Sequence, residues 1–380
     1  MTTETKNKVM IIAGEASGDC HGARLVRAML ELNQDLSFFG IGGNALRKAG
    51  VQIRIDNSWI AVVGLSEAII KLGVLLKALK IAKRELRRCR PDLLIVIDFP
   101  DFNLLVAKAA RKLGIPVFYY ISPQIWAWRT GRVKKIRRLV DHMVVIFPFE
   151  VDFYRRSRVP VTFVGHPLLD SIASGETLGE TNDLDTKDMI IGLLPGSRNE
   201  EVLRLLPVMV EVADIITEQM PGLLFAIPLA PSVDKTTVES IIGKAKSRFL
   251  VLSDRLQDIL DRSTLLITAS GTVTLEATIA GTPMIIIYKV SGLSYWLGKR
   301  LIRVKHIGLP NLVAGKPIVP EFVQHQATAK NIARQALALL KDENSLAGMR
   351  LQLNHTAQAL GPPGASRRAA KVALAMLQPH

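Results

Sequence analysis

The sequence contains few cysteines, no long apolar run and fewer acidic than basic residues. Only two of its 380 residues are cysteines, Cys20 and Cys89, and no Cys-x-x-Cys pair occurs. This excludes a disulfide framework and a cysteine-based zinc site, and it favours a reducing compartment. No stretch approaches the roughly 18 uninterrupted apolar residues that a membrane-spanning helix needs. The polar start of the chain does not resemble a secretory signal.

The shortage of acidic residues leaves a strongly basic chain. Lysine and arginine number 49 against 34 aspartate and glutamate, so the formal net charge is +15. This balance favours an anionic partner (nucleic acid, anionic lipid or a phosphorylated substrate), although a basic solvated surface is the simpler alternative. The chain has no recognisable RNA-binding motif, and its mean hydropathy is +0.24. We therefore expect an anionic membrane surface as partner, and no nucleic acid.

Apolar runs alternate with helical patterns along the whole chain, which is typical of parallel α/β architecture. The predicted strands fall in two series, 9–13, 36–41, 93–98, 117–121, 143–147 and 161–164, then 189–194, 223–228, 249–252, 265–268 and 283–288. We therefore predict an α/β fold with two Rossmann-like parallel-sheet domains that face a cleft. The predicted parts are a first domain (1–173), a polar linker (174–188), a second domain (189–345) and C-terminal helices (346–380). We expect those helices to pack on the N-terminal domain of the same chain or of a partner.

The second domain contains a small-residue turn between a predicted strand and a helix. In "LLPGSR", Gly196 and Ser197 allow close approach of a ligand to the backbone, and Arg198 carries a guanidinium that suits diphosphate oxygens. The following helix start offers unpaired N–H groups to an anion. A plain turn with a surface arginine is an equally good interpretation of this motif alone.

A second turn of the same kind strengthens the phosphate hypothesis. In "SGTVTLEA", Ser270, Gly271 and Thr272 can present N–H and hydroxyl donors, and Glu276 lies about one helical turn later, where a carboxylate can accept both hydroxyls of a ribose. Close packing of a helix on a strand would also explain the small residues. Two such turns in one domain favour a nucleotide-diphosphate site.

The first loop of the chain, in "IIAGEASGDCHG", follows a strand but carries two carboxylates. It lacks the spacing of a dinucleotide-binding loop, and Glu15 and Asp19 would repel a diphosphate. A sugar, however, offers hydroxyl groups to carboxylates, with Gly14 and Gly18 giving access and Ser17 donating. We therefore predict that this loop contacts a sugar acceptor. The alternative is that its acids only cap the following helix.

Seven motifs together resemble the lipid A disaccharide synthase family of GT-B-fold glycosyltransferases. They are "GEASGD", "IDFPDFN", "SPQIWAW", "FVGHPLLD", "LLPGSR", "SGTVTLEA" and "LPNLVAG…VPE", in the family's order. The resemblance implies inverting, metal-independent transfer of 2,3-diacylglucosamine from its UDP derivative to 2,3-diacylglucosamine 1-phosphate. The products are a β-1,6-linked disaccharide 1-phosphate and UDP, and no cofactor is implied. The alternatives within this fold are a UDP-N-acetylglucosamine epimerase and a transferase with a soluble acceptor.

The resemblance also assigns residues to the site. Asn311, Glu321 and Gln324 match polar positions of a cleft-lining segment, which implies contact with the donor sugar or nucleotide. A DxD-type sequence, Asp183–Asp185, lies in the polar linker rather than after a strand, so we assign it no metal.

Inverting transfer needs a base that removes the proton of the acceptor hydroxyl. Asp98 ends a buried-looking strand, and the resemblance also indicates the first aspartate of "IDFPDFN" as the base. Asp101 precedes a helical pattern and is expected to be its N-cap. His166 is interpreted either as a residue that reaches the cleft or as a hydrogen-bonded hinge histidine.

An amphipathic basic segment, 69–90, suits a membrane interface. The residues predicted to contact the membrane are Leu72, Leu75, Leu76, Leu79, Lys77, Lys80 and Arg84. A domain helix that packs one face on the sheet would have the same periodicity. The segment 293–306 repeats the aromatic and basic pattern. We expect a cytoplasmic enzyme bound peripherally to the inner membrane, and we leave a homodimer open.

Overall fold

The computed structural model describes residues 7–61, 68–128, 130–173, 188–290 and 306–377, without the side chains of 60–61, 68–72, 128 and 173. The chain divides into two compact units. The first unit comprises Met1–Ala173 and Gly361–His380, and the second comprises Ser174–Leu360. Most of the predicted linker, including the DxD-type sequence, and most of the segment 293–306 lie outside the described residues.

The first unit contains a seven-stranded parallel sheet in the order β3-β2-β1-β4-β5-β6-β7. Its strands are β1 (Asn7–Ala13), β2 (Leu36–Gly42), β3 (Gln52–Asp56), β4 (Leu93–Ile97), β5 (Val117–Tyr120), β6 (His142–Val145) and β7 (Val161–Phe163). The central strand β4 is buried at all five positions, as expected for a parallel strand covered on both faces. The six predicted strands are confirmed with small shifts at their ends, and β3 was not predicted.

The helices of the first unit connect consecutive strands or follow the last one. They are α1 (Ala16–Leu32), α2 (Asn44–Lys48), α3 (Ser58–Ala61), α4 (Ala68–Cys89), α5 (Pro100–Lys112), α6 (Ile125–Trp128), α7 (Val133–Leu139), α8 (Pro148–Arg156) and α9 (Leu168–Ala173). Helix α4 packs on α5, and α5 packs on α7. These helices form one layer of the unit.

The second unit contains a six-stranded parallel sheet in the order β10-β9-β8-β11-β12-β13. Its strands are β8 (Met189–Leu194), β9 (Leu223–Leu229), β10 (Arg248–Ser253), β11 (Leu265–Ala269), β12 (Met284–Tyr288) and β13 (Glu321–Val323). Its helices are α10 (Asn199–Gln219), α11 (Lys235–Ile242), α12 (Leu256–Arg262), α13 (Val273–Ala280), α14 (Leu309–Ala314), α15 (Ala329–Leu340) and α16 (Glu343–Ala359). The five predicted strands are confirmed, and the short edge strand β13 was not predicted.

The two last helices belong to different units. Helix α16 packs on α13, α14 and α15, whereas α17 (Ala365–Ala375) packs on α1 and α9. The expected boundary at residue 346 therefore falls inside α16. Asp170 holds α17 in place because its carboxylate accepts three N–H groups at the helix start, from Gly364 (2.6 Å), Ala365 (3.1 Å) and Ser366 (3.1 Å).

Candidate active site

A pocket of about 910 Å³ lies at the carboxyl ends of the four adjacent strands β10, β9, β8 and β11. The chain order of the strands reverses between β8 and β11, which is where open α/β sheets bind ligands. The pocket brings together seven of the predicted donor residues, Gly196, Ser197, Arg198, Ser270, Gly271, Thr272 and Glu276. Both predicted phosphate turns thus line one pocket.

The turn before α10 requires a glycine and is closed by a carboxylate. Gly196 has φ +117°, and a β-carbon there would lie 2.3 Å from Oε2 of Glu201. The same Oε2 accepts the N–H of Ser197 at 3.2 Å. Arg198 is 82% exposed, with a guanidinium nitrogen 4.0 Å from Glu201. A carboxylate therefore occupies the anion position at this helix start, and the guanidinium of Arg198 is available to a ligand.

The turn before α13 is open toward the pocket. No atom lies within 4 Å of the position that a β-carbon on Gly271 would take. Glu276 lies in the first turn of the helix and is half-buried, and burial raises the pKa of its carboxyl. The Ser270 hydroxyl donates to the main-chain oxygen of Ile307 at 3.4 Å.

Sequence reasoning missed a third part of this pocket. Asp254, Arg255, Asp258 and Asp261 follow β10 and line the same pocket. Arg255 is largely buried and forms an ion pair with Asp258. Their position directly after a predicted strand was the available signal, because parallel strands in one sheet present their carboxyl ends at the same edge.

The three remaining donor predictions lie outside the residues that line this pocket. Asn311 is fully buried, and its Oδ1 accepts the N–H groups of Ile318 (2.7 Å) and Val319 (3.0 Å). Its Nδ2 donates to Glu321 at 2.7 Å. Asn311 therefore folds its own loop, which corrects the predicted donor contact.

Glu321 and Gln324 are also occupied by the backbone. The carboxylate of Glu321 accepts the N–H groups of Ile307 (2.9 Å) and Gly308 (3.0 Å). Because Ser270 donates to the carbonyl of Ile307, Glu321 supports the pocket indirectly. Gln324 bonds to both main-chain groups of Val290, at 2.6 and 3.0 Å. Both half-buried side chains thus support the backbone, and their contact with the donor stays a prediction.

In the first unit, Asp98 follows β4 in an unusual backbone turn. Asp98 and Phe99 have φ values of 43° and 44°, in the left-handed region that non-glycine residues rarely adopt. The main-chain oxygen of Asp98 accepts the Asn103 amide at 2.7 Å and the Tyr119 hydroxyl at 2.6 Å. Two buried side chains therefore hold a strained turn, a feature that clusters at functional sites.

The environment of Asp98 suits a base. The pKa of its carboxyl is raised to about 6, chiefly by burial and secondly by the negative charge of Glu15, while a hydrogen bond from the Phe99 backbone opposes both effects. A base of this pKa is mostly ionised at neutral pH and stronger than an ordinary carboxylate. Glu15 follows β1 and Asp98 follows β4, the two strands where the order of this sheet reverses.

Two residues of the first loop have structural roles. A β-carbon on Gly14 would lie 2.5 Å from the Phe99 ring, so this glycine makes room for the ring. Asp19 is buried, and its carboxylate accepts the N–H groups of Gly43 (2.6 Å) and Ala45 (2.8 Å) at the start of α2. This corrects the prediction that Asp19 faces the acceptor.

The rest of the loop is divided between surface and core. Glu15 and Ser17 are exposed, whereas Gly18 is buried. A β-carbon on Gly18 would lie 3.6 Å from side chains of Ala13 and Ile97, in ordinary contact. Glu15 and Ser17 are therefore the side chains of this loop that remain available to a ligand.

Asp101 and His166 do not share the environment of Asp98. Phe99, not Asp101, is the N-cap of α5, and Asp101 forms an ion pair with Arg132. His166 is buried and accepts the Leu168 N–H on Nδ1 at 3.2 Å. Burial, followed by the neighbouring His21, lowers the pKa of His166 to about 4. These observations favour the structural interpretation of the histidine.

The predicted membrane contacts on α4 are only partly at the surface. Leu79 is buried in the core, which corrects its prediction, whereas Leu75 is half-buried against the core and its membrane contact stays a prediction. Leu76 is 58% exposed, and Lys77, Lys80 and Arg84 are exposed. The side chain of Leu72 lies outside the described residues. Within the described ranges, no helix combines the length and apolar content needed to cross a membrane.

Solved structures of similar proteins identify the fold. MurG from Acinetobacter baumannii has a TM-score of 0.61 with this chain at 14% identity, and the match covers 97% of this chain and 99% of that chain. UDP-GlcNAc 2-epimerase from Neisseria meningitidis, solved bound to UDP-GlcNAc, has a TM-score of 0.64 at 12% identity with the same coverage. The fold is therefore that of GT-B glycosyltransferases and the related epimerases, and the predicted fold class is confirmed.

Sequence similarity is more specific. The model of the lipid-A-disaccharide synthetase family matches residues 9–376, and the chain belongs to this family. Lipid-A-disaccharide synthase from Geobacter metallireducens is 48% identical over 380 residues, which covers 99% of each chain. The protein is accordingly an enzyme of the glycosyltransferase class, and neither an epimerase nor a transferase with a soluble acceptor is favoured.

Proposed function

We propose that the protein transfers 2,3-diacylglucosamine from UDP-2,3-diacylglucosamine to 2,3-diacylglucosamine 1-phosphate. The acceptor's 6-hydroxyl oxygen attacks the anomeric carbon of the donor, the bond from that carbon to the UDP oxygen breaks, and UDP leaves. The observation that carries this proposal within the first unit is the strained Asp98–Phe99 turn, which fixes a half-buried carboxylate of raised pKa.

The second unit is proposed to bind UDP. The diphosphate would accept hydrogen bonds at the start of α10 and from the Ser270–Thr272 turn, and Arg198 would supply a charge-assisted contact. Because Glu201 holds the Ser197 N–H in this structure, the diphosphate would replace that carboxylate. Glu276 would accept the ribose hydroxyls. Gly196, Gly271 and Thr272 shape the two turns.

The first unit is proposed to supply the base and acceptor contacts. The carboxylate of Asp98 takes the proton of the attacking hydroxyl as the new glycosidic bond forms. Glu15 accepts a hydrogen bond from the acceptor sugar, and Ser17 donates one. The negative charge of Glu15 also keeps the pKa of Asp98 raised, which makes Asp98 a stronger base.

The test is turnover of the two lipid substrates in detergent, with UDP and disaccharide both measured. Asp98→Ala should lower the rate by about 10²-fold or more, as expected for loss of a general base. Asp101→Asn is the matched control, because it removes a neighbouring carboxylate that is exposed and paired with Arg132. Equal losses in both variants, or full activity of Asp98→Ala, would remove Asp98 as the base.

Membrane association and a homodimer are proposed as well. Leu76, Lys77, Lys80 and Arg84 form an exposed apolar and basic surface on α4, which suits peripheral binding to anionic lipid on the cytoplasmic face of the inner membrane. Flotation with anionic and neutral vesicles tests the first proposal. Sedimentation of the purified protein tests the second.

A further inference from the structure

A groove of about 520 Å³ lies at the ends of α7 and α8 in the first unit. It is lined by Val133, Lys134, Arg137, Arg138, Arg156, Ser157 and Arg158. The lining residues precede β6 and β7 in the chain, so the groove is at the amino ends of these strands. Asp98 follows the carboxyl end of β4. Because all strands of this sheet are parallel, the groove and Asp98 belong to opposite edges of the sheet.

The charge of the groove is of one sign. All five of its ionisable lining residues are cationic and exposed, and none of them forms an ion pair with a residue in the described ranges. Other arginines of the same helical layer do have partners, as Arg88 pairs with Glu85 and Arg111 with Asp141. Five unpaired like charges around one concave surface favour binding of an anion.

Arg158 occupies a backbone position that ordinarily selects glycine. The Arg158 N–H bonds to the oxygen of Arg155 (2.9 Å) and the Val159 N–H to the oxygen of Tyr154 (3.1 Å), which is the Schellman ending of a helix. In this ending the residue after Ser157 is left-handed, and Arg158 has φ 55°. An arginine there carries a backbone strain that glycine would avoid. A ligand contact by the guanidinium would explain why arginine rather than glycine occupies this strained position.

The helix macrodipole explains only part of this arrangement. Cations are favourable in the last turn of a helix, which accounts for Arg137, Arg138 and Arg156. Lys134, however, lies in the first turn of α7, where a cation is unfavourable. Arg158 lies beyond the end of α8. The charge of Lys134 and the left-handed backbone of Arg158 therefore require another reason.

We propose that this groove binds the phosphate group of a ligand, at a site separate from the transferase reaction. Arginines suit phosphate because each guanidinium can donate two parallel hydrogen bonds. The phosphate can belong to a lipid head group or to a soluble phosphate compound, since both present the same oxygens. The proposal does not depend on the reaction proposed above.

The central test is Arg158→Gly. Glycine fits the left-handed position, so the variant should unfold at the same or a higher denaturant concentration than the wild type. Its affinity for phosphate should nevertheless fall by about 10-fold, the loss expected for one charge-assisted interaction. The probes are inorganic pyrophosphate, followed by calorimetry with saturating UDP to occupy the proposed diphosphate site, and phosphatidylcholine vesicles that contain phosphatidate, followed by flotation.

A matched pair of triple variants separates a site from net charge. One variant combines Arg137→Gln, Arg156→Gln and Arg158→Gly. The other replaces three exposed second-unit cations, Lys330, Lys341 and Arg350, by glutamine. Both lose three positive charges, but only the first should lose binding. Turnover of detergent-dispersed substrates should be unchanged in both variants, so failure of this proposal is distinguishable from failure of the proposed reaction.

The two probes also identify the source of the phosphate. Loss of vesicle binding alone in the groove variant assigns the site to a lipid head group, and loss of pyrophosphate binding alone assigns it to a soluble compound. Loss of both shows that the groove accepts either. Equal losses in the two triple variants, wild-type affinity of Arg158→Gly, or no binding of either probe by the wild-type protein would overturn the proposal.

Discussion

Asp98→Asn should slow transfer by about 10²-fold or more and at the same time stabilise the first unit. The pKa of Asp98 is raised from 3.8 to about 6, chiefly by burial. A raised carboxyl pKa contributes stability that is fully present below the unfolded pKa and is lost as pH rises through the folded pKa. At pH 7 the ionised Asp98 therefore opposes folding, whereas a neutral asparagine of the same shape does not.

The magnitude follows from the pKa shift. A difference of about 2 pKa units corresponds to about 3 kcal/mol, which is an upper value because Asp98 is not fully enclosed. We expect Asp98→Asn to raise the free energy of unfolding at pH 7 by about 1 to 3 kcal/mol, and to have little effect at pH 4. Denaturant titrations of wild type and variant at both pH values measure this difference. An Asp98→Asn variant that is less stable than wild type at pH 7 would refute the reasoning.

The same carboxyl predicts the pH dependence of the reaction. A general base acts in its ionised form, so kcat/KM should rise with pH through an apparent pKa of about 6. Glu15→Gln removes the second cause of the raised pKa and should move the curve toward lower pH. The apparent pKa of the variant should still lie above the ordinary carboxyl range, because burial is the larger cause of the raised pKa. An unmoved or alkaline-shifted curve in Glu15→Gln would contradict the assigned electrostatics.

Three further predictions concern other parts of the chain. Arg198→Ala should weaken UDP binding by about 10-fold, measured by calorimetry, with unchanged stability because the side chain is 82% exposed. Asp170→Ala should lower the free energy of unfolding by about 0.5 to 2 kcal/mol, the usual range for a lost helix cap. It should also speed amide hydrogen exchange across 365–375. Leu76→Ser should reduce flotation with anionic vesicles and leave the unfolding midpoint unchanged, whereas Leu79→Ser should lower that midpoint.

Periodicity predicted the buried strands and missed two of the four edge strands, β3 and β13. The predicted 189–194 strand matches β8 because its apolar run is buried at five of six positions. Strand β3 has one buried residue in five, and β13 has three residues, none of them fully buried. An apolar pattern records burial rather than hydrogen bonding, and β3 and β13 have too little burial or length to leave a comparable pattern.

The pocket of the second unit was predictable for a similar reason. Small residues directly after a buried strand mark turns that leave the backbone accessible to a ligand, and Gly196 and Gly271 both lie in such turns. The motif around Asn311 and Glu321 was assigned through resemblance alone. A motif does not distinguish a side chain that contacts a ligand from one that folds the loop beside it. Buried backbone N–H groups need acceptors, and in this loop Asn311 and Glu321 supply them.

The two carboxylates of the first loop illustrate the same distinction most directly. Glu15 and Asp19 are four residues apart in one motif, and sequence reasoning assigned both of them to the acceptor. The decisive factor is the start of α2, which is 24 or more residues away and presents its N–H groups to Asp19. Because Asp19 accepts these N–H groups, Glu15 is the acid of the motif whose charge raises the pKa of the proposed base, Asp98. Backbone N–H groups that are distant in the sequence therefore decide which acid of the motif is available for chemistry.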